Sequence, residues 1–385
     1  MAKRIPKTPW SKSFQRILSK MSKTVTRAGI KVVTKALALP KARVVPKAIK
    51  TPKQIRQIKP AKTAKISNVP KPAKAILSAR TVPQSDSSWT AGITVGNAGA
   101  RRYQLYRPPG VRRTERLPLV VMLHGCLQDA AALAASSRMN RLAARKRFLV
   151  LYPEQEKLSN THACWNWYET RSGRAQREAR SINAVIDQLC LQQPIDPQRI
   201  VVAGLSAGAS MAALLALAYP ERFKAVAMHS GVASGLANSP ATAVMAMRGR
   251  RQDAAPLPGG VKLPALLVIQ GSKDRVVAPV NAPLLARQWA AQAGAKEGKP
   301  RIVQRGTRYP ATVTNYCSQG QIVVSLCEVA GLDHAWSGGA AGHAYSDPKG
   351  PDASGMIWAF AVKQFSQLPA MRAVAATRVA AIKNA

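Results

Sequence analysis

Arg199-Ile-Val-Val-Ala-Gly-Leu-Ser-Ala-Gly208, continuing through an alanine-rich stretch to Tyr219, decides how the rest of the chain is read. The apolar run before Gly204 has the length and β-branched content of a buried strand, and residues 207–219 have helical spacing. Between them, Gly204-Leu-Ser206-Ala-Gly208 fits the G-x-S-x-G pattern, in which a serine stands on a sharp, strained strand-to-helix turn with its hydroxyl raised above the sheet. Glycines flank the serine because strand and helix approach too closely there for a Cβ. The five-residue pattern alone recurs by chance in unrelated proteins. The strand before it and the helix after it are what make Ser206 a candidate nucleophile.

Working outward, continuous apolar runs at residues 118–124, 148–152, 223–228, 264–270 and 322–329 suit strands buried on both faces. Shorter alternating patterns at 89–95 and 102–106 suit edge strands. Helical spacing occupies 130–146, 177–192, 281–293 and 353–365. Strand and helix alternate, so the expected fold class is α/β, a mostly parallel sheet sandwiched by helices. Functional residues should gather beyond the carboxyl ends of the strands. No internal repeat is visible.

Charge is distributed unevenly. The 385 residues carry 58 Lys and Arg against 17 Asp and Glu, a net +41, yet the first 80 residues hold 22 of the basic residues and no acid. Prolines 40, 46, 52, 60, 70 and 72 break that segment further, so it reads as an extended linker from about residue 40. The division expected is a basic Lys/Pro-rich tail over 1–87, a catalytic domain over 88–370 and a short tail over 371–385. Within 11–39, Phe14, Leu18, Met21, Val25, Ala28 and Val32 recur on one helical face, a pattern suited to an anionic membrane or granule surface. A disordered polycation and a targeting peptide are the other readings of the same residues. Aromatic residues stop after Trp10 and Phe14, so no specific nucleic acid partner is expected. The oligomeric state is left open. No apolar run reaches the roughly 18 residues of a membrane-spanning helix. Cys126, Cys164, Cys190, Cys317 and Cys327 are odd in number and form no CxxC pair, and with only five His in the chain no metal site is expected.

A serine hydroxyl needs a base to take its proton, and the base needs an acid to orient it. Asp274 lies four residues after the run ending at Gln270, and His334 follows the run ending at Val329. The order Ser206, Asp274, His334, each past a strand end, is that of the α/β-hydrolase fold. His124 belongs to an earlier loop, and His229 reads as a structural residue near the site. His162 and His343 follow no strand directly. Asp333 would point away from its neighbour, and Asp253 lies in a polar stretch. Negative charge developing on a carbonyl oxygen calls for fixed N–H donors. The backbone amides of Ala207 and of Cys126, in His124-Gly-Cys-Leu-Gln128, are the candidates.

These residues carry a resemblance. Leu117-Pro-Leu-Val-Val-Met-Leu-His-Gly-Cys-Leu-Gln128, Leu151-Tyr-Pro-Glu-Gln155, Cys164-Trp-Asn-Trp167, Gly204-Leu-Ser-Ala-Gly208, His229-Ser-Gly231 and His334-Ala-Trp336 together resemble the polyhydroxybutyrate depolymerase family of esterases, close to feruloyl and acetylxylan esterases. The resemblance covers roughly residues 89–365. It implies hydrolysis of polyester, oligomer or small ester substrates through an acyl-enzyme, without a cofactor, and a disulfide between Cys126 and Cys164. Trp165, Trp167 and Trp336 read either as walls of the substrate cleft or as partly buried core aromatics. A second pairing, Cys317 with Cys327, is expected across a hairpin, leaving Cys190 as a buried thiol. Family habit and cysteine pairing favour an extracellular or periplasmic compartment, whereas the N-terminus lacks a secretory h-region. The competing functions are a feruloyl or acetylxylan esterase and, in another class, an inactive hydrolase domain in a surface-binding protein.

Overall fold

A computed structural model describes residues 88–367. The expectations for 1–87 and 371–385, including the amphipathic helix at 11–39, lie outside the described residues. In chain order the main strands are β1 (Ser88–Gly96), β2 (Gly99–Arg107), β3 (Leu117–Leu123), β4 (Leu149–Pro153), β5 (Ile195–Leu205), β6 (Ala225–His229) and β7 (Ala265–Gly271). Two short strands, β8 (Lys296–Glu297) and β9 (Arg301–Val303), precede the hairpin β10 (Ala311–Ser318) and β11 (Gln321–Val329). The sheet runs β1-β2-β4-β3-β5-β6-β7-β11-β10-β8, with β9 also on β10. It is parallel from β4 through β11 and antiparallel at both margins. Of the two expected edge strands only β1 is an edge, because β2 pairs with β4 on its other side.

The chain leaves β3 in both lateral directions, to β4 on one side and β5 on the other. Such a switch point opens a crevice at the carboxyl ends of the strands. Helices cover both faces. On one lie α1 (Ala130–Ser137), α2 (Met139–Lys146) and the C-terminal α7 (Ala353–Phe365); on the other lie α3 (Arg174–Gln192), α4 (Ala207–Ala218), α5 (Pro240–Met247) and α6 (Asn281–Gln292). The pleat sorts the central strands between them. Leu119, Val121 and Leu123 of β3 pack under α3 and α4, while Val120 and Met122 pack under α1 and α7. All seven residues of β3 are buried, as a central strand requires.

Three expectations need correction. Residues 130–146 form two helices rather than one. Arg138 adopts a left-handed conformation (φ 57°), its N–H bonds to Ala134 O, and the Ser137 hydroxyl accepts the Met139 N–H instead of leaving the backbone to continue. Second, α5 was not expected, because its eight residues are almost all apolar and show no periodicity; its start signal is the Ser239/Thr242 capping box with Pro240 at the first turn. Third, Cys317 and Cys327 are not bonded. The tight turn Gln319-Gly320, both residues at positive φ, pairs Ser318 with Gln321, which sets Cys317 opposite Ile322 and Cys327 opposite Val313. Four residues of strand, roughly 13 Å, then separate the thiols, beyond the ~7 Å Cα limit of a disulfide.

A buried polar network joins the left half of the fold to the loop that follows β4. Arg101 of β2 donates to Ser181 of α3 (3.0 Å), to Glu154 O (2.8 Å) and to Gln155 Oε1 (2.8 Å), and its guanidinium lies over the Trp165 ring. Glu178 of α3 accepts from Gln155 Nε2 (2.7 Å), Asn166 N (2.9 Å) and Asn166 Nδ2 (2.6 Å). Burial lowers the Arg101 pKa, and the Glu178 and Glu156 charges oppose that shift. A buried charge in such a network stabilises only while its partners are complete. Glu178→Ala should therefore cost about 3 kcal/mol or more in urea unfolding. An exposed position of the same helix, such as Arg180→Ala, should stay within about 0.5 kcal/mol.

Candidate active site

Ser206 sits at φ 58°, ψ −120°, outside the regions open to most L-residues, on the turn from β5 into α4. The turn is held from both sides. The Ser206 N–H donates to His229 O (2.8 Å), and the Ser206 carbonyl accepts from Ala209 and Ser210 N–H. A Cβ on Gly204 would run into the carbonyl of Gly208, and one on Gly208 would run into the carbonyls of Leu123 and His124. These are the two steric demands that the G-x-S-x-G reading anticipates.

Asp274 follows β7 and is buried, with four donors on its two oxygens. His334 Nδ1 (2.8 Å) and Gln270 Nε2 (3.0 Å) reach Oδ2, and the amides of Val276 and Val277 (2.9 Å each) reach Oδ1. Burial alone would raise this carboxyl's pKa, but the histidine and the two amides outweigh it and hold the pKa below its ordinary value. With Nδ1 on Asp274, any proton transfer with Ser206 would fall to Nε2 of His334. Ser206 and His334 line one small, tight cavity, together with Gly125, Cys126, Gln128 and Tyr345.

His334 belongs to the loop after β11, three strands away from β5, and the loop must cross the ends of β7 and β6 to reach Ser206. Lys273 N–H donates to Leu332 O, and a Cβ on Gly271 would strike that same carbonyl. Farther on, Ser337 N–H donates to His229 Nε2 (3.1 Å), and Trp336 stacks on the His229 ring. His229 thereby clamps the serine turn through its carbonyl and the histidine loop through its imidazole. The structural role expected of it takes this form.

Cys126 follows β3, whose end pairs with β5 at Leu123 and Gly204. The Ala207 N–H, at the first position of α4, has no intrahelical acceptor. The Cys126 N–H has no acceptor among the described residues. The loop is pinned by the Cys126–Cys164 disulfide and by His124. His124 accepts Gln155 N–H at Nε2 (3.1 Å) and donates from Nδ1 to Gly125 O (2.9 Å). The Cys126–Cys164 pairing is the one that the resemblance implies.

The three tryptophans part company. Trp167 lines a second, narrow apolar cleft beside Ser206 and Ala207, with Tyr168, Val232, Val244, Met247 and Val277. Trp165 and Trp336 are fully buried and are not cleft walls, which corrects that reading. Each indole spends its N–H inside the fold, Trp165 on His124 O (3.0 Å) and Trp336 on Ser354 Oγ (3.2 Å). The cleft's other wall comes from α5 and the start of α6's approach loop, which carried no recognisable motif. Among the described residues, no three His, Cys, Asp or Glu side chains gather as a metal site would require.

A serine turn after β5, with an acid after β7 hydrogen-bonded to a histidine after β11 on a mostly parallel sheet, defines the architecture as an α/β-hydrolase. An acetyl xylan esterase from Aspergillus awamori has a similar fold, with TM-score 0.53 and 20% identity over 64% of this chain and 94% of that one. The chain belongs to the esterase PHB depolymerase family, which matches residues 101–301. It is 30% identical over 272 residues to the poly(3-hydroxyalkanoate) depolymerase C of Paucimonas lemoignei, covering 65% of this chain and 63% of that protein. It is 27% identical over 250 residues to a "probable acetylxylan esterase A" of Neosartorya fischeri, covering 58% and 67%. The chain thus spans less than two thirds of the depolymerase's length.

Burial holds both structural histidines neutral, lowering His124 to about 4 and His229 to about 3, the latter aided by repulsion from His334. An unfolded histidine titrates near 6.5. Below that pH the unfolded chain takes up protons that the folded chain refuses, so stability is intact above about pH 6.5 and falls as the pH drops toward 4. The urea midpoint should follow that course. His124→Asn should flatten the slope between pH 6.5 and 4 while lowering stability at neutral pH.

Proposed function

We propose that the chain is a serine carboxylic ester hydrolase that cleaves hydroxyalkanoate polyesters or their oligomers through an acyl-enzyme. The observation that carries this reading is the buried Asp274–His334 hydrogen bond beside Ser206 on its strained turn. In the mechanism that follows, Ser206 Oγ attacks the ester carbonyl as His334 Nε2 takes its proton. Asp274 holds the imidazole in the tautomer that can accept there and stabilises the imidazolium formed. The amides of Cys126 and Ala207 receive the developing oxyanion. Collapse expels the alcohol with the proton from His334, and water repeats the sequence on the acyl-enzyme.

The hydroxyalkanoate substrate rests on the family and on the apolar cleft beside Ser206, which suits the methyl-bearing chain of such an acyl group. Trp167 and Tyr168 in the same cleft also suit a flat phenolic acyl group, so a feruloyl-type esterase is the second reading. Ser206→Ala and His334→Ala should each lower kcat on a nitrophenyl ester by several powers of ten without unfolding the protein, and the double variant should be little worse. Asp274→Asn should cost about 10³ to 10⁴. Retention of more than about a tenth of kcat by either single alanine variant would refute the assignment. Side-by-side assay of hydroxybutyrate oligomers, feruloyl esters and acetylated xylan decides the substrate. A higher kcat/KM on the oligomers is the expected outcome.

A further inference from the structure

Gln128 closes the turn that begins at Gly125, its N–H donating to Gly125 O (3.3 Å). Its side chain is 5% exposed. Oε1 accepts the Gly125 N–H (3.0 Å), which fixes the orientation of the carboxamide. The other end, Nε2, is buried with no hydrogen-bond partner among the described residues. A buried donor left unpaired keeps its desolvation cost with no hydrogen bond to offset it. The cost falls beside the reacting atoms: Gln128 lines the small cavity with Ser206 and His334, and a Cβ placed on Gly125 would lie 3.2 Å from Gln128 Oε1 and 3.6 Å from Ser206 Cβ.

Two cavities meet at Ser206, and they divide the substrate. The apolar cleft reaches Ser206 and Ala207 but not His334, whereas the small cavity reaches Ser206, His334 and Gln128. During acylation the Oγ–C bond forms and the Oγ proton passes to His334. The C–O bond to the alcohol then breaks, and the same proton passes to the departing alkoxy oxygen. That oxygen must therefore lie on the His334 side, with the acyl chain in the apolar cleft. On its far side Gln128 also borders a polar groove lined by Arg102, Asp129, Glu156 and His162.

Resting on the Ser206–His334 reading, we propose that the Gln128 side-chain amide is a substrate-binding donor for the alcohol half of the ester. It donates a hydrogen bond to the alkoxy oxygen or to the first polar group beyond it, and transfers no proton. In a hydroxyalkanoate oligomer that next group is the ester carbonyl of the leaving unit. An activated phenolic leaving group is a poorer acceptor and needs the donor less.

The test uses two substrates with the same 3-hydroxybutyryl acyl group, its nitrophenyl ester and the methyl ester of the hydroxybutyrate dimer. Gln128→Met removes both hydrogen bonds, and Gln128→Glu keeps the acceptor for Gly125 while removing the donor. Both variants should lose at least about tenfold more kcat/KM on the dimer ester than on the nitrophenyl ester. Hydrolysis of the common acyl-enzyme, read from the post-burst rate, should change by less than the dimer's acylation. Equal losses on both substrates would overturn the proposal, and so would wild-type behaviour of Gln128→Glu, which would leave the side chain only the task of holding Gly125. Ser206→Ala is assayed in parallel. Turnover surviving in it overturns the parent reading and this one together, whereas full dependence on Ser206 with uniform Gln128 losses refutes the Gln128 role alone.

Discussion

At Gly208 the first turn of α4 lies so close to the end of β3 that a methyl group would overlap the carbonyls of Leu123 and His124. Much of the site depends on that contact. It brings the serine turn against the loop that carries Cys126, although the two follow strands some 80 residues apart in sequence. Ser206 accepts an unfavourable φ in consequence, and the strain is borne by surrounding hydrogen bonds to His229, Ala209 and Ser210. Neither residue that meets at the contact does chemistry itself.

Polar groups buried behind the site do the positioning. His124 and His229 are neutral imidazoles, each using one ring nitrogen to accept a backbone N–H from a loop that would otherwise be free to drift. Carboxylates or lysines could not take these places without a counter-charge, and an apolar residue would orphan the amide. Behind His124 the same logic extends through Gln155 to Glu178 and Arg101, so the disulfide-bearing loop is fixed by α3 as well as by Cys164. The disulfide closes a separation of 38 residues, worth up to about 4 kcal/mol against the unfolded chain.

Fold and candidate site were legible to different depths for physical reasons. The central strands could be read because burial on both faces demands continuous apolar runs. Ser206, Asp274 and His334 could be read because the fold assigns each a strand end. What tertiary packing decides was not legible. Trp165 stands in the same motif as Trp167, and Trp336 in that of His334, yet both turn inward, where an indole N–H finds a carbonyl or hydroxyl. The two cysteines of the β10–β11 hairpin look closable by their spacing, and only the two-residue turn shows them out of register. The cleft-lining α5 left no periodic trace because its eight residues are almost all apolar. Gln128 was visible only as part of a loop, since an unpaired side-chain nitrogen is a property of coordinates.

Asp274 illustrates why the site is organised before substrate arrives. Its carboxylate is as buried as the core around it, yet all the stabilisation it needs as an anion comes from fixed donors: two backbone amides of its own loop, one glutamine and the histidine. Water would supply comparable hydrogen bonds only by reorienting as charge moved. In the proposed mechanism nothing would have to move as His334 took a proton, because the carboxylate is already aligned along Nδ1. The two sides of the proposed substrate differ in the same way. Where the acyl group would lie, the lining is apolar, and where the proton would leave, polar groups are within reach. An ester bound across Ser206 would thus meet a dry wall at its carbonyl carbon and a hydrogen-bonding wall at its departing oxygen, the asymmetry that bond cleavage in that direction requires.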